Sequence, residues 1–368
     1  MRSSLGLVRY LTGIVVLCVS LLSSAQATDI YRCKDGSGNT VFQDMPCEGG
    51  DTPVISWSGS KSAAPGISSS TQPLPPSVSA PLSPVVSGQK AVDAALHGGK
   101  HFFWRATKAG QGTLYLLGSI HFGRPEMYPL PEVIREAFTR ADALVVELNA
   151  LAMNPMVMAQ SFAAKGMYLN GGSLRQDVDA QTWERLNRMA GQVGLSVDMI
   201  NMQKPWMAAM TLGAMSVKQA GFSENLGIDM HFLTQAKDRM PIIELESMAF
   251  QADLLSGLPK DAQLVMLADT LRILDEGPAY YQRMLDAWQS GKAAALEGLM
   301  AESLSGNSAA EYLHKVMLDD RNVTMATKLK TFAAKGQDYF VVVGAAHLVG
   351  PKGLVALLRQ QGYEVEQL

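Results

Sequence analysis

Two histidines in this chain stand in the same local setting. Gly118-Ser-Ile-His121 follows the apolar run Thr113-Leu-Tyr-Leu-Leu117, and Gly344-Ala-Ala-His347 follows Tyr339-Phe-Val-Val-Val343. Imidazole ligates metals and carries protons near neutral pH. A lone histidine is usually a satisfied structural residue, whereas two matched copies on one scaffold point to a shared site. Two carboxylates close similar runs: Val145-Val-Glu147, and Ile242-Ile-Glu-Leu-Glu246. Imidazole plus carboxylate without thiol suits a divalent ion such as zinc, manganese, cobalt or iron. Such an ion polarises a carbonyl and lowers the pKa of a bound water. A carboxylate not used as a ligand takes the water's proton.

The candidate groups for holding an ion or moving a proton are therefore His121, His347, Glu147 and Glu246, with the division of roles between the two acids left open, and Arg321 is a further candidate catalytic group. Arg321 would fix a carboxylate or stabilise developing negative charge, or form a plain structural ion pair. Each acid also has a bland reading, as a turn cap or an Arg partner. Asp229 reads as a helix cap with His231 on the solvent face. His97, His101 and His314 show no partner pattern.

Other chemistries are poorly served. Gly118-Ser119 does not build a Gly-x-Ser-x-Gly elbow, although Ser119 beside His121 leaves a metal-free hydrolase open. No Gly-x-x-x-x-Gly-Lys loop is present, and Gly110-Gln-Gly112 precedes a strand rather than opening a helix. No interleaved basic and aromatic patch points to nucleic acid.

The elements that must position these groups are legible in outline. Both Gly-x-x-His segments leave apolar, β-rich runs of the kind buried on two sheet faces. In open α/β sheets ligands sit beyond the carboxyl ends of the strands, and glycine there lets backbone approach closely. A helix is expected after each: Pro131–Arg140 after the first, and Lys352–Gln361, closed by Gly362, after the second. His101-Phe-Phe-Trp-Arg105 reads as the first strand of the large domain. The Met-rich stretch from Asn154 to Leu233 reads as helix, with Lys204-Pro-Trp206 opening one helix. Its methionines read as core, with an adaptable substrate groove as the alternative. Leu254–Ser303 and Arg321–Phe332 read as further helices. The expected fold is α/β: a central mixed or mostly parallel sheet with two strand–Gly-x-x-His–helix units and a large helical insertion.

The 368 residues are 47% hydrophobic with a formal charge of −3, enough to bury a large core. Residues 1–27 read as a secretory signal, with Arg2 and Arg9 before apolar Leu11–Leu22 and a cut after Ala25-Gln-Ala27. Removing those two arginines takes the formal charge to −5. Cys18 goes with the leader, and Cys33 and Cys47 then form an even pair expected to be one disulfide. Residues 28–57 read as a small β-hairpin domain, with two short strands around a Gly/Asn-rich turn. Residues 58–91 are a Ser/Pro-rich linker with almost no charge, and 92–368 form the α/β domain. The apolar leader is too short to span a bilayer comfortably, so no membrane span is expected in the mature chain.

From Phe102 onward the chain resembles the TraB/GumN family, which is related to the Tiki proteins, viewed as metal-dependent proteases. The resemblance rests on Leu116-Leu-Gly-Ser-Ile-His121, Val145-Val-Glu147, Lys204-Pro-Trp206, Gly227-Ile-Asp229, Leu245-Glu246 with Gln251, Arg321-Asn322, and Val343-Gly-Ala-Ala-His347-Leu-Val-Gly350. It implies a metal-binding site at His121, His347 and Glu147. Asn149 stands where an Asp is common, and Ala346 where a Gly is common. The N-terminal hairpin resembles a small proteobacterial domain of unknown function.

The expected protein is periplasmic or secreted, a metal-dependent hydrolase cleaving peptide or related amide bonds in the cell envelope. The alternatives are a non-catalytic binding protein using the same cleft, and an envelope or polysaccharide-export accessory protein. Expected partners are a peptide or small-molecule substrate, with an envelope protein met through the N-terminal domain, and no nucleic acid.

Overall fold

The computed structural model describes residues 31–34, 40–43, 100–302 and 308–368. The chain divides into two units, one within residues 24–92 and the other holding the remainder. In the first unit, β1 (Tyr31–Lys34) and β2 (Thr40–Gln43) pair antiparallel, with Cys33 opposite Val41. Cys47, the expected leader and the expected linker lie outside the described residues, and the Cys33–Cys47 bridge with them.

The large unit is a mixed six-stranded sheet wrapped by helices. Its strands are β3 (Phe103–Thr107), β4 (Leu114–Ser119), β5 (Ala143–Val146), β6 (Ile242–Glu244), β7 (Tyr339–Gly344) and β8 (Glu364–Gln367). Their spatial order is β6-β5-β7-β4-β3-β8. The first four are parallel, and β3 runs antiparallel to both β4 and β8. Every residue of β5 and β7 is buried, as apolar strands covered on both faces should be. β7 comes late in the chain yet sits between β5 and β4.

The helices in chain order are α1 (Glu132–Arg140), α2 (Pro155–Gly166), α3 (Leu174–Asp177), α4 (Ala180–Gln192), α5 (Val197–Asn201), α6 (Pro205–Gln219), α7 (Ile228–Ala236), α8 (Met248–Ser256), α9 (Lys260–Glu276), α10 (Pro278–Gln289), α11 (Ala293–Ala301), α12 (Ser308–His314), α13 (Asp320–Ala333) and α14 (Leu354–Gln360). Pro205 occupies the first position of α6, where its missing N–H costs nothing. Met207 and Met210 on that helix are buried, so they serve as core. Phe340 on β7 meets Phe103, Phe138 of α1 and Phe232 of α7 at ring separations of 5.9, 5.3 and 4.7 Å. These aromatic contacts, in the range where ring pairs attract, fasten α1 and α7 to the sheet. Among the described residues, no helix is long and apolar enough to cross a membrane.

Two local devices matter for the site. Lys315–Asp319, between α12 and α13, is a π-helical turn in which the Asp320 N–H reaches back to the Lys315 carbonyl. Such turns insert one extra residue into a helix and recur at functional sites. The second is a close approach at Gly118, where an added Cβ would stand 2.4 Å from the Phe102 ring and 3.1 Å from Ala345 Cα. The two Gly-x-x-His segments are thus packed backbone against backbone, and the Trp288 indole N–H clamps the Gly118 carbonyl at 2.6 Å.

Candidate functional site

The parallel order of β6, β5, β7 and β4 brings four strand exits into one row. Leaving those strands in that order are Glu246, Glu147, His347 and His121. The ladder between β5 and β6 continues past the strands, with Glu246 N–H donating to the Glu147 carbonyl at 3.0 Å. The four side chains predicted from sequence therefore belong to one edge of the sheet.

Arg321 ties the acids together. Its Nε and Nη2 donate to Glu246 Oε1 and Oε2, both at 2.8 Å, and Nη2 also donates to Glu147 Oε2 at 2.7 Å. Nη1 donates to the Met317 carbonyl within the π turn, at 2.9 Å. All three side chains are buried, none above 8% exposed. A paired fork is the geometry in which guanidinium binds carboxylate most strongly. Gln251 completes Glu246 with an amide donor at 2.8 Å. The Gly344 N–H at the end of β7 donates to Glu147 Oε1 at 2.7 Å. Two carboxylates against one guanidinium leave this buried cluster formally one charge negative, which favours a cation nearby.

The imidazoles are backed differently. His347 is fully buried; its Nδ1 lies 2.6 Å from Asn322 Oδ1, and its Nε2 has no hydrogen-bond partner. That Nε2 stands 3.7 Å from Glu147 Oε1. His121 Nδ1 lies 2.8 Å from Asp229 Oδ2, while Ser119 Oγ donates to Asp229 Oδ1 at 2.8 Å. Burial lowers the His347 pKa to about 3, an effect the Glu147 charge only partly offsets. Burial also lowers that of His121, but Asp229, with Glu147 behind it, more than reverses this and holds His121 above the ordinary imidazole value. For Glu147, burial raises the pKa, but the neighbouring His347 and Arg321 with the Gly344 N–H overcome it and hold the carboxyl below the usual carboxylate range.

Asp229 is where the sequence reading and the fold part. It lies inside the first turn of α7, with Gly227 as the cap, and its carboxylate serves Ser119 and His121. The cause is a stitch between two segments: Gly123 and Ser223 exchange backbone hydrogen bonds at 2.9 Å, and the Ile228 N–H donates to the Ile120 carbonyl at 3.0 Å. Gly227 allows that approach, because an added Cβ would fall 2.1 Å from the His121 carbonyl oxygen. Gly227→Ala should therefore cost about 1–3 kcal/mol through overpacking and pull Asp229 off His121. Chemical denaturation measures the first effect, and a loss under 0.5 kcal/mol or so would contradict it. Ser119 is completely buried and bonded to Asp229 rather than His121, which leaves it badly placed as a nucleophile. His231 is half-buried, its ring 4.7 Å from that of Tyr128, so it is not on an open solvent face.

Asn322 was absent from the candidate set and holds His347. It lies beside Arg321 immediately after the π turn, so one helical end addresses both the acids and the imidazole. Among the described residues no three His, Cys, Asp or Glu side chains stand as a ready-made ion cage. The chemistry of the donors, imidazole and carboxylate, is nonetheless of the kind that divalent ions take. His347 Nε2 is an orphaned buried atom with its other nitrogen held from behind, the arrangement typical of a metal-binding histidine. Each carboxylate oxygen has two lone pairs, so Glu147 Oε1 keeps one after accepting from Gly344.

The chain is 30% identical over 274 residues to the uncharacterized protein YbaP of Escherichia coli (strain K12), covering 73% of this chain and 97% of that one. The YbaP of Shigella flexneri aligns with the same identity and coverage. An uncharacterized protein of Treponema pallidum (strain Nichols) is 22% identical over 273 residues, covering 71% and 81%. No solved structure matches. Residues 17–84 match a domain of unknown function, DUF4124. Residues 102–367, which hold the whole sheet edge just described, match the TraB/PrgY/gumN family, and the chain belongs to that family.

Proposed function

We propose that the chain is a metal-dependent hydrolase acting on a peptide or related amide bond in the cell envelope. The observation that carries the reading is the orphaned Nε2 of His347 beside Glu147, with His121 charge-coupled to the same carboxylate. His121 and His347 would hold the ion, zinc, manganese, cobalt or iron, with Glu147 as a third ligand. When bound, such an ion polarises a carbonyl and makes a nucleophile of bound water.

The chain's own groups divide the remaining work. Held below the usual carboxylate range, Glu147 is ionised near neutral pH, which suits it to hold a cation. A general base works best with a pKa near the operating pH, so Glu147 is the poorer choice for that role. Glu246 and Gln251 hold Arg321, and Arg321 holds Glu147. On this reading Glu246 and Arg321 orient the acid rather than move protons.

The test is the metal content of protein purified without chelator. Wild type should carry a divalent ion near stoichiometry, and the His121→Ala/His347→Ala double variant should lose it. A peptide library should then be cleaved by wild type alone. A metal-free wild type sinks the reading, and a loaded protein that returns every peptide intact makes this a binding protein.

A further inference from the structure

Hydrogen-bond valence decides which nitrogen carries the proton on each imidazole. Asn322 Nδ2 donates to the Lys352 carbonyl at 3.0 Å, and a carbonyl can only accept. That fixes the amide so that Oδ1, also only an acceptor, faces His347. His347 must then donate from Nδ1, and its Nε2 bears a lone pair. The same logic runs at the other ring. The Asp229 carboxylate accepts from Ser119 through Oδ1 and presents Oδ2 to His121 Nδ1. A neutral His121 therefore also carries its proton on Nδ1.

We propose that Asp229 and Asn322 are positioning residues that lock His121 and His347 in the Nδ1–H tautomer, so that both Nε2 lone pairs are free to bind one divalent cation. The cation rests on the function proposed above; the tautomers do not. The two rings reach one state by unlike means, a carboxylate that also fastens Ser119 and a buried amide anchored to backbone. An imidazole left without an acceptor at Nδ1 intrinsically prefers the Nε2–H form. Each positioning residue thus works against the ring's own preference and withholds the proton from the ligating nitrogen.

The experiment is long-range proton–nitrogen correlation on the ¹⁵N-labelled full chain at about pH 9, well above the imidazole range. His121→Gln and His347→Gln identify the two rings by subtraction. In parallel, Zn²⁺ and Mn²⁺ affinities are measured by chelator competition. Wild type should show both rings as Nδ1–H. Asp229→Leu should move His121, and Asn322→Leu should move His347, toward Nε2–H, each weakening Zn²⁺ roughly 10–100-fold. Asn322→Asp, which keeps an acceptor at Nδ1, should retain the wild-type tautomer and bind Zn²⁺ no more weakly. An Nε2–H pattern at either ring in wild type overturns the proposal, a reading that stands even should a leucine variant fail to fold. So does a folded leucine variant whose tautomer is unchanged. Nδ1–H rings in a protein that takes neither ion sink the hydrolase and leave the positioning intact.

Discussion

Arg321→Met is expected to destabilise the protein by about 3–5 kcal/mol. The guanidinium is the shared partner of two buried carboxylates, Glu147 and Glu246, and methionine replaces its stem but none of its charge. What remains is two like charges in a low-dielectric interior with only Gly344 and Gln251 as donors. Removing one member of a buried cluster costs far more than the cluster contributes net, because the orphaned charges cannot return to water. Urea unfolding of Arg321→Met against wild type, with an unchanged slope, reads the loss directly. Adding Glu147→Gln and Glu246→Gln to the same variant should restore part of it, since neutral amides tolerate burial better. A loss below about 1 kcal/mol, the usual worth of an exposed pair, would mean that the acids relax into solvent and that the cluster is not the interior lock described here.

The second large effect is a steep acid limb in the stability of chelator-treated protein. His347 has a folded pKa of about 3 against an ordinary 6.5, so between those values the unfolded chain binds more protons than the folded one. Stability then rises with pH through that window, is fully present above 6.5 and is lost by about pH 3. Glu147, coupled to His347, acts in the same direction: its carboxyl is held below the ordinary carboxylate range, so its contribution is present above that range and lost as pH falls through it. His121 acts with the opposite sign. Its pKa is raised, so what it contributes is present below the ordinary imidazole value and fades as pH rises past it. The net expectation is a drop of several kcal/mol between pH 6.5 and 3, and a shallow decline above neutrality. His347→Gln should flatten the upper part of the acid limb, whatever it does to absolute stability. An unchanged slope in that variant would show that another group carries the titration.

The sequence shows this site unevenly, for reasons visible in particular residues. Tyr339–Val343 and Leu114–Leu117 announce themselves as buried strands by composition, and the acids and imidazoles at their exits follow. The row they form rests on β7 slotting between β5 and β4, a long-range pairing that no local pattern encodes. β8, Glu364–Gln367, reads as polar and carries no buried-strand pattern; it is an edge strand with exposed glutamates alternating with half-buried partners. The first strand of the large unit is set two residues later than its aromatic run suggests, because Trp104 to Thr107 pair with β8. Asp229 reads as a helix cap from its place after Gly227-Ile, yet Gly227 is the cap and Asp229 lies inside the first turn; the backbone stitch from Gly123 to Ser223 brings its carboxylate to His121. Asn322 stands beside Arg321 in one of the segments that carry the family resemblance, but a lone amide on a helix states no chemistry, and its role appears only with the His347 ring beside it.

The extra residue at Lys315–Asp319 has a consequence for how one rod serves two masters. α12 upstream buries Ala310 and Leu313, and α13 downstream must aim Arg321 and Asn322 at the strand exits. Ordinary helical winding advances 3.6 residues per turn, so one residue shifts the angular phase between those stretches by about 100°. Deleting a single residue there would regularise the winding and improve local hydrogen bonding. It would also close the wide turn whose Met317 carbonyl receives Arg321 Nη1, trading a smoother helix for a guanidinium less firmly held.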